Sequence, residues 1–186
     1  MNGGETRLSV ALQPQADHGS CMGRIARFCA FSMLLAGLAT PADARDALGI
    51  FGSWGAFRDV RPLRCFAIAE PAVRRKGDWR PFASIGVWPG SGVRRQLHLR
   101  LRYPRSAEAK VTLSLGDRRI ELVGGGVDAW AADPRGDAAI VAAMRSAPTM
   151  TVSVRDPQGR DFYDSYELRG AATAIDAAAL ACARLR

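Results

Sequence analysis

The residues best placed to do chemistry fall on one stretch of alternating sequence. Gln96, His98, Arg100 and Arg102 alternate with Leu97, Leu99, Leu101 and Tyr103. A period of two puts the first set on one face of a strand and the second set on the other. Together with Arg94, the residues His98, Arg100 and Arg102 form a basic stripe that suits an anion. Phosphate-rich lipid headgroups or an acidic polysaccharide would bind such a stripe with salt-sensitive affinity. The bland alternative is a solvated sheet face protected from edge pairing. His98 is the only histidine after residue 44. It would have to serve as the base of any hydrolase, yet no Gly-x-Ser-x-Gly elbow exists to present a serine. The expectation is a surface histidine and a chain with no catalytic residues, a small hydrolase using His98 being the alternative.

Other candidate chemistries are weaker. Asp156, Asp161 and Asp164 cluster around Tyr163, but no twelve-residue calcium loop surrounds them, and a solvated turn is expected. Gly124, Gly125 and Gly126 could cradle an anion through backbone N–H groups. No helix follows directly and no Lys-Ser/Thr pair is present, so they read as a flexible connector. Trp54, Trp79, Trp88 and Trp130 could line a cleft, though tryptophans more often pack in cores. Aromatic and basic residues do not interleave as a nucleic-acid stacking platform requires. Neither a metal site nor a cofactor is expected.

The elements that must carry these residues begin after an export signal. Arg24 and Arg27 precede an apolar run, residues 28–39, and Ala42-Asp43-Ala44 has the small-x-small form that signal peptidase cuts. The apolar run is too short to span a bilayer. Residues 1–44 therefore read as an upstream extension and cleavable signal, with Met22 as the natural start. Cys21 and Cys29 would be removed with it, and no cysteine follows the run to take a lipid. Residues 45–186 read as a single domain with no transmembrane segment, located in the periplasm or secreted. Arg7, Arg24 and Arg27 are balanced by Glu5, Asp17 and Asp43, so the net charge of +8 belongs to this domain. Arginine dominates over the two lysines, Lys76 and Lys110, as coding in a GC-rich genome would also produce.

Two cysteines remain, Cys65 and Cys182, and in an oxidising compartment they suggest one disulfide. Two buried thiols or an intermolecular pair are the alternatives. There is no Cys-x-x-Cys for redox work.

Strands are expected at residues 54–58, 64–69, 82–88, 96–103, 111–115, 118–123, 127–131, 150–154 and 162–168. Gly116-Asp117 and Pro157-Gln158-Gly159 mark turns, and Gly77 is read as a positive-φ turn residue. Asp133-Pro134 starts a helix as N-cap and first helical residue. An Ala-rich helix runs over residues 171–184, with Cys182 on its apolar stripe. The fold is mainly β with α additions: an antiparallel β-sandwich or barrel-like domain with two helices, one C-terminal.

Several segments resemble one exported family. They are Asp137-Ala138-Ala139-Ile140-Val141-Ala142-Ala143-Met144-Arg145, Met150-Thr151-Val152-Ser153-Val154, Gln158-Gly159 and Tyr166-Glu167-Leu168-Arg169-Gly170-Ala171. Gly52-Ser53-Trp54 and Arg64-Cys65-Phe66-Ala67-Ile68 add an opening Trp strand and Cys strand. The pattern is similar to the invasion-associated locus B proteins of alphaproteobacteria, over residues 49–182. The family commonly has a cysteine pair before the first helix; this chain has Asp128-Ala129-Trp130-Ala131-Ala132-Asp133 there. The resemblance implies an exported, envelope-associated, non-enzymatic β-sandwich, linked in some members to host-cell entry. Its partner would be an envelope or host component.

Overall fold

The computed structural model describes residues 45–183. The segment expected to be an export signal, the upstream prefix, Cys21 and Cys29 lie outside the described residues. Ten strands and two helices follow in the order β1 (Arg45–Phe51), β2 (Trp54–Val60), β3 (Leu63–Ala69), β4 (Phe82–Trp88), β5 (Val93–Arg100), β6 (Val111–Leu115), β7 (Arg118–Gly125), β8 (Asp128–Trp130), α1 (Pro134–Met144), β9 (Thr149–Arg155), β10 (Asp161–Glu167) and α2 (Ala171–Ala183). A single 3-10 turn, Pro89–Ser91, links β4 to β5.

The strands form one antiparallel sheet in the order β1-β2-β3-β4-β5-β8-β7-β6-β9-β10. Strand β7 is its turning point. Its first part, Arg118 to Leu122, pairs with β6, and its last three residues, Val123 to Gly125, pair with β8. The sheet is open, since β1 and β10 are its two ends. It nevertheless curls back on itself. The Trp54 indole N–H on β2 donates to the Glu167 carbonyl at the end of β10, 2.8 Å away, and the Ser53 N–H donates to the Arg169 carbonyl. The mainly-β architecture with two helices, one C-terminal, is the one expected from the sequence.

Alternation explains what is inside. Ala67, Ala83, Ile85, Leu97 and Leu99 from one half of the sheet share a buried cluster with Leu113, Met150, Val152 and Tyr166 from the other. Ile140 and Met144 of α1, with Ala174 and Ile175 of α2, complete it. Each fully buried large aliphatic side chain contributes about 1.5–3 kcal/mol of transfer free energy.

Helix α1 starts as its sequence dictates. The Asp133 carboxylate accepts the Gly136 N–H at 2.7 Å, and Pro134 occupies the first turn. Four residues on, buried Asp137 accepts the Leu97 N–H at 2.8 Å. Strand β8 covers β5 only from His98 to Arg100, so Asp137 satisfies the donor that β8 does not reach. Burial pushes the Asp137 carboxyl above its usual range, the Leu97 bond opposing.

Helix α2 lies on the inner side of the first half-sheet. Cys182 on α2 is bonded to Cys65 on β3, with Cα atoms 5.9 Å apart. Val87 and Ala178 pack around the pair. The intramolecular bridge is the first of the three arrangements left open by the cysteine count.

Two local readings are corrected. Gly77 does not adopt a positive φ. Glycine is needed there because a Cβ would lie 2.6 Å from the Cβ of Arg102. The run Gly124-Gly125-Gly126 is not a loose connector. It ends β7 and makes the turn to β8, with Gly126 at φ +61°, and Arg105 donates to the Gly124 carbonyl at 2.7 Å.

Candidate functional site

The outer face of β3, β4 and β5, opposite α2, carries a cleft. The floor is set by two small residues on the middle strand, Ser84 and Gly86. Register places Gly86 between Phe66 and Gln96, and Ser84 between Ile68 and His98. Phe66, Phe82, Trp88 and His98 stand around this floor, with Arg45, Arg64 and Gln96 at the rim. The cleft is about 250 Å³. It arises because small side chains on β4 sit among large ones on its neighbours.

Each end of the cleft has a charged cluster. At one end Asp59 accepts Arg45 Nε at 2.7 Å and Arg64 Nε at 2.6 Å. The Arg45 hydrogen bond, with a second from Arg64, holds the Asp59 carboxyl below its usual range against the opposing effect of burial. Both guanidiniums also lie over the Phe66 ring, at 5.2 and 5.9 Å. At the other end Asp128 of β8 meets His98 Nε2 at 2.7 Å and Arg100 Nε at 3.1 Å. Partial burial pushes the Asp128 carboxyl up, but the His98 and Arg100 hydrogen bonds outweigh it and the carboxyl lies below its usual range. The imidazole stacks parallel on Trp130 at 5.2 Å and meets the edge of Phe82 at 5.1 Å.

The expected basic stripe is only partly assembled. His98 and Arg100 stand side by side on the outer face. Arg94 is exposed but does not line the cleft. A register shift between Gly86 and Trp88, with Arg95 at φ +56°, interrupts the alternation just there. Arg102 is not on the surface. Strand β5 ends at Arg100, so the period of two no longer applies. Arg102 is 5% exposed and donates to Asp164 at 2.8 Å inside the protein. The anion-binding role expected of Arg102 is therefore withdrawn; a buried, paired guanidinium offers nothing to a ligand.

The acidic residues near Tyr163 are also corrected. Asp156 is buried and accepts the N–H groups of Gln158 and Arg160 and the Arg160 side chain. Asp164 is buried against Arg102. Only Asp161, paired with Arg155, is a solvated turn carboxylate. Of the tryptophans, Trp54 is core, whereas Trp79 and Trp88 are exposed and Trp130 is half-buried beneath His98.

Sequence reasoning does not anticipate Asp128, Arg45, Arg64 and the Ser84–Gly86 floor as a site. A signal for part of it is present: Arg64, Phe66 and Ile68, and Phe82, Ser84, Gly86 and Trp88, each occupy one face of an alternating strand. Asp128 gives no such signal, because only the β7–β8 turn brings it opposite Arg100.

Ser84, His98 and Asp128 stand on three adjacent strands and invite comparison with a nucleophile, base and orienting acid. The hydrogen bonding does not match that machinery. The Ser84 hydroxyl reaches the His98 backbone carbonyl at 3.4 Å, and no hydrogen bond joins it to the imidazole among the described residues. What the cleft offers is aromatic surface, guanidinium donors and an amide.

Fold and face together define a class: a curled, open, antiparallel ten-stranded sheet with a helix disulfide-bonded to its inner side. A solved structure of similar fold is the crystal structure of invasion associated protein B from Bartonella henselae, to which the chain is similar with a TM-score of 0.51 and 16% identity over 73% of this chain and 97% of that one. The match bears out, at the level of fold, the resemblance read from the sequence. No protein-family model matches the chain, and no curated protein matches it.

Proposed function

We propose that this chain is an exported, non-enzymatic protein of the cell envelope, working in envelope or host-surface interaction through binding rather than turnover. The observation that carries export is the buried Cys65–Cys182 bridge between β3 and α2. Such bridges persist in oxidising compartments and are rare in the cytosol, and residues 24–44 have the composition of an export signal. Intact mass of the protein from a native-host periplasmic extract, with and without reduction and alkylation, tests it. The expected chain starts near Arg45 and takes two alkyl groups only after reduction. An uncut chain with free thiols sinks the reading.

A binding role for the outer sheet face is favoured by the cleft between Phe66, Phe82, Trp88 and His98. Hydrolysis is disfavoured by Ser84, whose hydroxyl turns to a backbone carbonyl. Replacing Ser84 by alanine is expected to leave any background hydrolysis of p-nitrophenyl esters unchanged. A loss of turnover in that variant would revive the hydrolase.

A further inference from the structure

The geometry points to the β3–β4–β5 cleft as a site for one acidic sugar residue, a hexuronate within a polysaccharide. The inference rests on the outer sheet face being the binding surface. Four observations support it together.

Size comes first. At about 250 Å³ the cleft falls below the roughly 300–1,000 Å³ of pockets for drug-sized ligands. It takes one six-membered ring. Second, its walls are aromatic and its floor is made of small residues. Trp88 is exposed, Phe66 and Phe82 are half-buried, and the buried Ser84 and Gly86 lie below them with Ile68 beside Ser84. A pyranose presents an apolar C–H face that such rings can cover, with hydroxyls around its edge.

Third, polar groups at the rim are unspent. The Gln96 side chain makes no hydrogen bond among the described residues, and Arg64 uses only Nε, on Asp59. The terminal N–H groups of Arg64 and the Gln96 amide are therefore available to a carboxylate and to hydroxyls. Fourth, the charge favours an anion. At the rim two guanidiniums, Arg45 and Arg64, face one carboxylate, Asp59, on a chain of net charge +8. An acyl chain suits the cleft less well. One sheet face supplies a floor and walls but no roof, so a hydrocarbon tail would stay in water.

The test uses the disulfide-bonded protein, residues 45–186, labelled with nitrogen-15 at about 0.15 M salt. The probes are tetragalacturonate, neutral maltotetraose and phosphatidylglycerol vesicles. Tetragalacturonate is expected to shift the amides of Phe66, Ser84, Gly86 and Gln96 saturably, and maltotetraose to bind at least about tenfold more weakly. Filling the floor with Gly86→Leu should abolish the shifts. A Cβ at Gly86 would sit 3.5 Å from Trp88, an ordinary contact. Should that variant misfold, Gln96→Ala combined with Arg64→Met gives the same comparison and should weaken binding at least about tenfold. Arg94→Gln, outside the cleft, should bind as the parent does.

Vesicles moving these same amides while the sugar does not would overturn the uronate and leave the sheet face standing. Sugar shifts scattered over the arginine-rich surface, unaffected by Gly86→Leu, would overturn both. So would no response at these amides to any probe.

Discussion

Arg102 and Asp164 form a charge pair inside the protein, Nη1 to Oδ1 at 2.8 Å, with side chains 6% and 2% exposed. Asp164 is on β10, and the Arg102 guanidinium lies 5.2 Å from the Phe162 ring of the same strand. The pair thus ties the chain leaving β5 to the far end of the sheet. Its satisfaction is incomplete: Asp164 Oδ2 and the Tyr166 hydroxyl have no hydrogen-bond partner among the described residues. Burial pushes the Asp164 carboxyl above its usual range, Arg102 and Arg75 opposing, and drives the Tyr166 phenol far up.

A pair of this kind is costly to break and easy to replace. Arg102→Ala or Asp164→Ala is expected to lose about 3–5 kcal/mol, because each strands one buried charge. Arg102→Met combined with Asp164→Leu should recover most of that loss. Urea unfolding of the four proteins decides it; a double variant as unstable as the sum of the singles would contradict the argument.

The disulfide closes a loop with a sequence separation of 117. Chain entropy assigns a loop of this length about 4–5 kcal/mol of stabilisation through the unfolded state. The Cys65→Ser, Cys182→Ser protein is expected to unfold at a clearly lower urea concentration, and reductant should move the parent toward it. Equal midpoints would show that the helix docks without help from the bond.

How far the fold is legible in the sequence follows from where alternation is clean. Leu113, Leu115, Ile120 and Leu122 about Gly116-Asp117 specify a hairpin locally, and Asp133-Pro134 specifies a helix start. Strand β1 is hidden because its register shifts between Ala47 and Gly49, so no period of two survives in it. His98 and Arg100 are legible as neighbours, since adjacent alternate residues share a face. Their acceptor is not: Asp128 reaches them across a strand pair of only three residues. Arg102 fails for the opposite reason. Alternation continues in the sequence after the strand has stopped, and only tertiary structure shows that the side chain turns inward.

The Asp59 cluster makes an acid-sensitive end to the cleft. Its carboxyl is held below the ordinary value of about 3.9 by Arg45 and Arg64. A depressed folded value means stabilisation that is fully present above about pH 3.9 and lost as pH falls through the lower folded value. Asp59→Asn should therefore be less stable than the parent at pH 7, with the gap closing below about pH 4. Thermal unfolding across the range from about pH 2 to pH 7 reads this directly; a gap that stayed constant through the acid range would mean that the ion pairs contribute nothing.

Two glycines hold the ends of the curled sheet together. Gly52 has φ +59° and Gly170 φ +88°, and their backbones interlock. A Cβ on Gly170 would be driven into the Phe51 carbonyl, and one on Gly52 into the Arg169 carbonyl. Gly159 is a built-in control, with φ +78° but nothing within 4 Å of the point its Cβ would occupy. Gly159→Ala should lose only the left-handed backbone cost, about 1–2 kcal/mol. Gly170→Ala adds displacement of the β1–β2 turn, and should also weaken the Ser53 N–H bond to Arg169 and the Trp54 bond to Glu167. Its loss should clearly exceed that of Gly159→Ala. Because Gly170 sets the start of α2, the variant should also pair Cys65 with Cys182 more slowly on oxidative refolding. Equal losses in the two variants, with unchanged oxidation rates, would show that the interlock is not what closes the sheet.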